Sequence, residues 1–196
     1  MARAKVRILG IVADHTGTEP GVAYDTLGIN GARAARLLGW NAEAFAAAVA
    51  ERKPDLIILA YGTNESGDSD WTATAYRQTL AAILRRLRSA APQASFLVYG
   101  PPDRADSALP PARLPALVEA ERRASPGSWR RLWSSYDAMG GRDSMNAWVG
   151  RSLQAGPIIY ASDDAGYFRI ATILFYRDLM RAYASFSGKP SGAPVE

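Results

Sequence analysis

One uninterrupted apolar run constrains the fold of this chain more than any other feature. The five residues from Leu56 to Ala60 are all apolar, and the segment 61–65, Tyr-Gly-Thr-Asn-Glu, follows them directly. A run of this kind predicts a strand that is buried on both faces, in the middle of a parallel sheet. Ligands of such sheets bind beyond the carboxyl ends of the strands. We therefore expect a ligand site at residues 62–65.

The residue types after this run suit the binding of a negatively charged oxygen. Gly62 allows a sharp turn and a close approach of the backbone to a ligand. Asn64 can donate an amide N–H to an oxygen on which negative charge develops. In an isolated turn, Asn64 would more often bind its own backbone, and both interpretations stay open at this point.

Alternating strand and helix patterns predict the fold class. Strands are predicted at residues 6–13, 22–29, 56–60, 95–100 and 129–136, and helices at 32–52 with an interruption near Gly39, 71–91, 114–123 and 166–186. Repeated strand–helix–strand units produce parallel sheets with right-handed crossovers and helices on both faces. The sequence thus predicts a flavodoxin-like three-layer α/β/α fold with a mostly parallel sheet.

Composition excludes several classes of function. The chain has 196 residues, of which 48% are hydrophobic and 21% charged, as in one globular domain. No apolar run approaches the ~20 residues of a membrane span. The net charge is +4, but the arginines are spread along predicted helices, so nucleic-acid binding is not expected. One histidine and no cysteine leave no set of metal ligands and no disulfide.

The region around the apolar run resembles the SGNH hydrolases, also called GDSL-type esterases. Residues 61–65 are similar to the third sequence block of that superfamily, and residues 24–34, Tyr-Asp-Thr-Leu-Gly-Ile-Asn-Gly-Ala-Arg-Ala, are similar to the second. Further likeness lies in Pro101-Pro102-Asp103, in Gly140-Gly141 with Met145 and Trp148, and in Gly166-Tyr167. The resemblance spans about residues 20 to 185 and is greatest to bacterial enzymes that remove O-acetyl groups from peptidoglycan and related polysaccharides.

The resemblance implies a site and a reaction. The backbone N–H of Gly31 and the side-chain amide of Asn64 would form the oxyanion hole. The reaction would be acyl transfer from an ester to serine and then to water, without a cofactor. The partner would be a small-molecule or glycan acyl ester. Residues expected to line the pocket are Gly62, Thr63, Glu65, Asp103 and Trp148, although Trp148 in an amphipathic segment also fits a core position and Asp103 also fits a turn cap.

The family's base is not found where the resemblance places it. The last block of the family runs Asp-x-x-His before a Gly-Tyr pair, and counting back from Gly166 puts these positions on Ile158 and Ala161. A shift of one residue puts Tyr160 in the histidine position. None of these side chains takes a proton from a serine near neutral pH. The nearby residues 163–164, Asp-Asp, are explained by capping of the next helix.

The first block of the family is also altered. His15 is the one histidine of the chain, and residues 13–15, Ala-Asp-His, stand where Gly-Asp-Ser is expected. Alternatively, residues 6–12 are the last strand of a β-sandwich that such enzymes carry near their first block. A literal Gly-Asp-Ser occurs at 67–69, but it follows the strand of Asn64. His15 and Ser69 are therefore the candidate catalytic residues that the sequence offers.

Three functions remain open at this stage. We expect an esterase domain at residues 1–186, with little or no activity as an isolated chain, and a flexible tail at 187–196. The alternatives are a catalytically inactive domain that binds a glycan or a partner, and a fragment of a longer esterase in which residues 1–20 end an upstream module. The resemblance implies export, whereas residues 1–6 do not form a signal peptide. The sequence leaves the substrate and the oligomeric state undetermined.

Overall fold

A parallel sheet forms the centre of the part of the chain that the structure describes. The structure is a computed structural model, and it describes residues 21–104, 112–125, 130–150 and 174–187. Within these ranges the strands are β1 (Leu56–Ala60), β2 (Ser95–Gly100) and β3 (Arg130–Ser134), in the order β1-β2-β3 and all parallel. The parallel α/β fold predicted from the alternation of elements is confirmed.

Helices connect and cover these strands. The helices within the described ranges are α1 (Ala42–Arg52), α2 (Ala73–Ala90), α3 (Arg113–Ala124), α4 (Ser135–Met139), α5 (Ser144–Gly150) and α6 (Tyr176–Ser187), together with 3-10 helices at Ala34–Gly39 and Glu65–Gly67. The predicted interruption near Gly39 is present, because the 3-10 helix ends there and Asn41 begins α1 by capping the N–H of Ala44. None of the described helices has both the length and the hydrophobicity that a membrane crossing needs.

The main core lies on one face of the sheet. Ile57 pairs with Phe96 and Leu59 pairs with Val98, so these four side chains form one apolar surface. The long helix α2 covers it with side chains spaced three or four residues apart, which places them on one helical face. The buried members from α2 are Tyr76, Leu80, Ile83, Leu84 and Leu87.

The other face of β1 differs from the prediction. Leu56 and Ile58 are 45% and 41% exposed, so the expectation of a strand buried on both faces is wrong for the described part of the chain. Alternate side chains of a strand point to opposite faces of the sheet, so Leu56 and Ile58 lie on the face away from Leu59 and the main core, and that face is only partly covered. An apolar run indicates what a strand could bury, whereas its neighbours decide what is buried.

The segment predicted as a strand at 22–29 is not a strand. It has no regular secondary structure, and Val22 and Tyr24 are 95% and 81% exposed. An ion pair between Arg52 Nε and Asp25 Oδ2, at 2.7 Å, links the segment to the end of α1. Strand propensity requires a paired neighbour to be realised, and within the described residues this segment has none.

Several sequence predictions lie outside the described residues. These are the strand at 6–13, the possible end of an upstream module at 1–20, the Asp-x-x-His region at 158–161 and the capping residues at 163–164. The predicted tail at 187–196 also lies outside them, except for Ser187, which ends α6. The predicted helix at 166–186 is described only in its later part, as α6.

A buried carboxyl group lies between α2, α3 and the end of β2. Glu121 is fully buried, and its Oε1 accepts a hydrogen bond of 2.9 Å from the Tyr76 hydroxyl. A Cβ atom at Gly100 would lie 2.8 Å from Glu121 Oε2, so the glycine leaves the space that the carboxyl occupies. Burial raises the pKa of Glu121 to about 8, the charge of Glu65 adds to this, and the Tyr76 bond opposes it. Glu121 is therefore mainly protonated at neutral pH.

This pKa predicts a pH dependence of stability. The unfolded carboxyl releases its proton near pH 4.5, whereas the folded one keeps it to about pH 8. The contribution of Glu121 to stability is therefore full below the unfolded pKa and is lost as the pH rises towards the folded pKa, by about 1.4 kcal/mol per pH unit. Glu121→Gln should remove this loss, since the amide carries no charge and can still accept from Tyr76.

The measurement is chemical denaturation of both proteins at several pH values between about 5 and about 8. Glu119→Gln, an exposed carboxyl on the same helix, is the matched control and should keep the wild-type slope over this range. Equal slopes for wild type and Glu121→Gln would contradict the assignment.

Candidate oxyanion site

The site begins with a tight turn at the carboxyl end of β1. Gly62 has φ +112°, in the region that favours glycine, and it is buried. A Cβ atom at this position would lie 2.9 Å from Leu117 Cδ2 and 2.9 Å from two ring carbons of Pro101. Both the backbone conformation and the packing therefore require glycine, and they direct residues 63–65 towards the second block of sequence.

Asn64 reaches that second block through its side chain. Its Nδ2 donates a hydrogen bond of 3.0 Å to the carbonyl oxygen of Ala32, and the side chain is exposed to solvent. A primary amide has two N–H donors, so one is held by Ala32 and the other remains for a ligand. The bond to Ala32 fixes the direction in which the second donor points.

Gly31, the residue before Ala32, lies at the same surface. It is exposed and has φ +72°, in a turn closed by the bond from Ala32 N to Ile29 O of 3.0 Å. No backbone acceptor among the described residues takes the Gly31 N–H in the turns and loops of this region. The Asn64 amide is bonded to Ala32, the residue that follows Gly31. The two predicted oxyanion donors, Gly31 N–H and the Asn64 amide, therefore lie close together.

The buried carboxyl group of Glu65 also joins the segment of Gly31 to the segment of Asn64. Glu65 is 6% exposed, and its Oε1 accepts from Ala34 N at 2.6 Å while its Oε2 accepts from Gly62 N at 3.0 Å. Ala34 begins the 3-10 helix that follows Gly31, where a negative group is favourable. The sequence placed Glu65 in the pocket, whereas in the structure its carboxyl group faces the backbone.

Three arginines hold the loop after Asn64. Arg33 binds the Asp68 carboxylate with Nε, at 2.8 Å and 2.6 Å to the two oxygens, and also with Nη2, and this contact lowers the pKa of Asp68. Arg113 Nη1 donates to Asp68 O at 2.6 Å, and Arg104 Nη1 donates to Ser66 Oγ at 2.8 Å. The loop is therefore anchored to three separate parts of the chain, which favours one fixed conformation.

Two of the predicted pocket residues organise a neighbouring loop. Asp103 is buried, and its Oδ2 accepts from Met145 N at 2.9 Å and from Ser144 Oγ at 3.4 Å. Trp148 is half-buried against Met145, and its indole N–H donates to Met139 O at 3.3 Å. Both groups are therefore engaged with the protein itself. Trp148 packs in a small apolar cluster, and Asp103 binds the start of α5, which is distant in sequence.

Thr63, the remaining predicted pocket residue, is half-buried and contributes its carbonyl group to the loop. That carbonyl accepts from Ser66 Oγ at 2.7 Å and from Arg104 Nη1 at 3.2 Å. The internal bonds of Thr63 thus support the turn that positions Asn64.

The candidate catalytic residues are not brought together by the described part of the chain. His15 lies outside the described residues, and these contain no other histidine. Ser69 is exposed in a turn, and the Ser66 hydroxyl is committed to Thr63 and Arg104. Among the described residues there is also no cluster of three or more metal-ligating side chains.

The sequence did not reveal the supporting residues of this site. The three arginines that hold the loop lie far apart in sequence, at Arg33, Arg104 and Arg113. The chain is rich in arginine, and no sequence pattern distinguishes these three from the others. Only their contacts with residues 63–68 show what they do. The one available signal for Glu65 was its place next to Asn64 at the end of a strand.

Substitution of Gly62 tests the turn. Gly62→Ala should destabilise the fold by about 2 kcal/mol or more, because it combines an unfavourable φ with a clash against the Pro101 ring. Thermal or chemical denaturation measures the change. Gly39→Ala is the matched control, since a Cβ there meets nothing within 4 Å. A Gly62→Ala protein as stable as the Gly39→Ala protein would contradict this account of the turn.

Comparison with known proteins identifies a matching family and a similar solved structure. The model of the GDSL-like lipase/acylhydrolase family matches residues 7–126. A solved structure described as a peptidoglycan O-acetylesterase in action is similar to this chain, with a TM-score of 0.71 and 28% sequence identity. The similarity covers 81% of this chain and 46% of the other, so the chain spans less than half the length of that structure. No curated protein matches the chain.

The family match includes both segments of the site, the one at Gly31 and the one at Asn64. The similar solved structure extends the agreement to the three-dimensional fold. The resemblance to SGNH hydrolases is therefore confirmed, and the chain belongs to the GDSL-like lipase/acylhydrolase family.

Proposed function

We propose that this chain recognises acyl esters, with the O-acetyl groups of carbohydrates as its substrate class. Gly31 N–H and the free N–H of Asn64 would bind the carbonyl oxygen of the ester. Membership of an acylhydrolase family supports the acyl ester, and the similarity to a peptidoglycan O-acetylesterase supports the carbohydrate O-acetyl group.

One observation carries the proposal. The Asn64 amide is held by its 3.0 Å bond to the carbonyl oxygen of Ala32, the residue that follows Gly31, and Gly31 itself is exposed. Donors that are already oriented need no reorganisation when charge develops on the carbonyl oxygen, and each such donor contributes about 10²–10³ in rate in acyl transfer. The same pair of donors would also bind the uncharged ester carbonyl more weakly.

A second candidate function is binding without turnover. It is favoured by the sequence, in which the Gly-Asp-Ser and Asp-x-x-His of the family are not found where the resemblance places them. The one buried serine near Asn64, Ser66, donates its hydroxyl to a backbone carbonyl. An oxyanion site without a nucleophile and a base retains binding and only residual rate. A domain that binds without turnover would recognise the acyl group through the same donors as an esterase.

Binding of O-acetylated peptidoglycan tests the recognition. The wild-type protein should bind this glycan more tightly than the same material after removal of its O-acetyl groups with mild base. Asn64→Ala should lower the affinity for the acetylated form about three- to tenfold, the value of one hydrogen bond, and leave the affinity for the other form unchanged. Equilibrium sedimentation of the protein with each glycan measures both affinities.

Gln93→Ala is the matched control for this experiment. Gln93 is also an exposed amide that donates to a backbone carbonyl, that of Pro54 at 3.3 Å. It lies near the amino ends of β1 and β2, whereas Asn64 follows the carboxyl end of β1. This variant should bind both glycans as the wild type does. Equal binding of acetylated and de-O-acetylated glycan by the wild-type protein would overturn the proposal.

Hydrolysis of 4-nitrophenyl acetate separates the two candidate functions. We expect release of 4-nitrophenol no faster than that of a His15→Ala variant, since a proton acceptor for serine has not been identified. Such a result, together with acetyl-dependent glycan binding, would indicate a binding domain. Turnover that disappears in both His15→Ala and Asn64→Ala would instead show a hydrolase in which His15 is the base.

A further inference from the structure

We propose that Glu65 is the positioning residue of the oxyanion site, which sets the placement of the Gly31 N–H relative to the Asn64 amide. This inference rests on the proposed function in treating these two groups as the oxyanion donors. Glu65 touches neither the donors nor a ligand in this assignment, and it acts through the backbone on which the donors are carried.

The geometry of the Glu65 carboxyl group carries the proposal. One oxygen accepts from Ala34 N at 2.6 Å, and the other accepts from Gly62 N at 3.0 Å. Ala34 lies three residues after Gly31, and Gly62 lies two residues before Asn64. A single side chain therefore spans the two segments that supply the donors, with one hydrogen bond to each.

Glu65 is buried, and both of its oxygens are engaged. The residue is 6% exposed, and each carboxylate oxygen accepts one backbone N–H. A buried carboxyl group is costly unless hydrogen bonds satisfy its oxygens. The two N–H bonds meet this requirement, and they join the two segments together with the bond of Asn64 to Ala32 and the contact of Arg33 with Asp68.

The chemistry of the bridge is specific to glutamate. Two backbone N–H groups face the side chain, so both of its terminal atoms must accept. Glutamine has one acceptor oxygen, and its NH₂ group would meet an N–H donor. Aspartate keeps both acceptors but is shorter by one methylene group, so it cannot span the same two segments without moving one of them.

The experiment compares Glu65→Gln with Glu121→Gln. Both variants replace a buried carboxyl group in the same region, but Glu121 uses one oxygen as an acceptor, and the other has no partner within the described structure. Two measurements are made on each protein: the NMR chemical shifts of the Gly31 backbone amide and the Asn64 side-chain amide, and the binding of O-acetylated and de-O-acetylated peptidoglycan.

We expect Glu65→Gln to shift or broaden both amide signals and to weaken acetyl-dependent binding about tenfold or more, because the placement of both donors changes. Glu121→Gln should leave the two amide signals and the binding as in the wild type. A role of Glu65 in stability alone would lower the melting temperature and leave the signals and the binding unchanged, and that result would overturn the proposal.

The experiment also distinguishes two further outcomes. If the wild-type protein shows no acetyl-dependent binding, the proposed function fails, and the amide signals alone decide whether Glu65 positions the two groups. If Glu65→Gln does not fold, Glu65→Asp takes its place, since it keeps the charge and both acceptors. It should move the same two signals, and wild-type signals in a folded Glu65→Asp protein would contradict the inference.

Discussion

A buried carboxyl group at the carboxyl end of β1 is the interaction on which the site depends. Glu65 binds backbone N–H groups of two segments that are about thirty residues apart, and the Asn64 amide closes the same gap at the surface. The two bonds of Glu65 are internal, while Asn64 and Gly31 face solvent. The protein thus uses buried polar contacts to hold exposed polar donors in place.

The sheet and the helices supply the fixed base for these contacts. The parallel pairing of β1 with β2 brings Pro101 to the end of β1, and α3 brings Leu117, so that Gly62 turns against both. Arg33, Arg104 and Arg113 then anchor the loop that follows. Because each anchor comes from a different element, the conformation of the loop is a property of the whole fold and not of its local sequence.

The sequence predicted those features that depend on pattern. The strand of Ser95–Gly100 and the helix of α2 follow from apolar periodicity. The contact of Asn64 with Ala32 joins the two blocks of the resemblance, while the use of Gly31 and Asn64 as oxyanion donors stays a prediction. The exposed face of β1 and the absence of a strand at 22–29 could not be predicted, since the burial of an apolar segment depends on which neighbours pack against it.

The direction in which an individual side chain points also could not be predicted from the sequence. Glu65, Asp103 and Trp148 were all expected in the pocket from their positions at strand and loop ends. Glu65 and Asp103 accept backbone N–H bonds and Trp148 packs on a methionine pair, while their place in a ligand pocket stays a prediction. Polar side chains at such positions have both ligands and backbone groups within reach, and only the three-dimensional arrangement shows which partner each one takes.

The most direct test is a crystal structure of the protein with methylphosphonate, a tetrahedral analogue of the acyl-transfer intermediate. We expect one phosphonate oxygen within about 2.7–3.1 Å of both Gly31 N and Asn64 Nδ2, with the Asn64 bond to Ala32 and both Glu65 bonds retained. A phosphonate bound elsewhere, or an Asn64 amide turned away from Ala32 in that complex, would contradict the assignment of these residues as the oxyanion site.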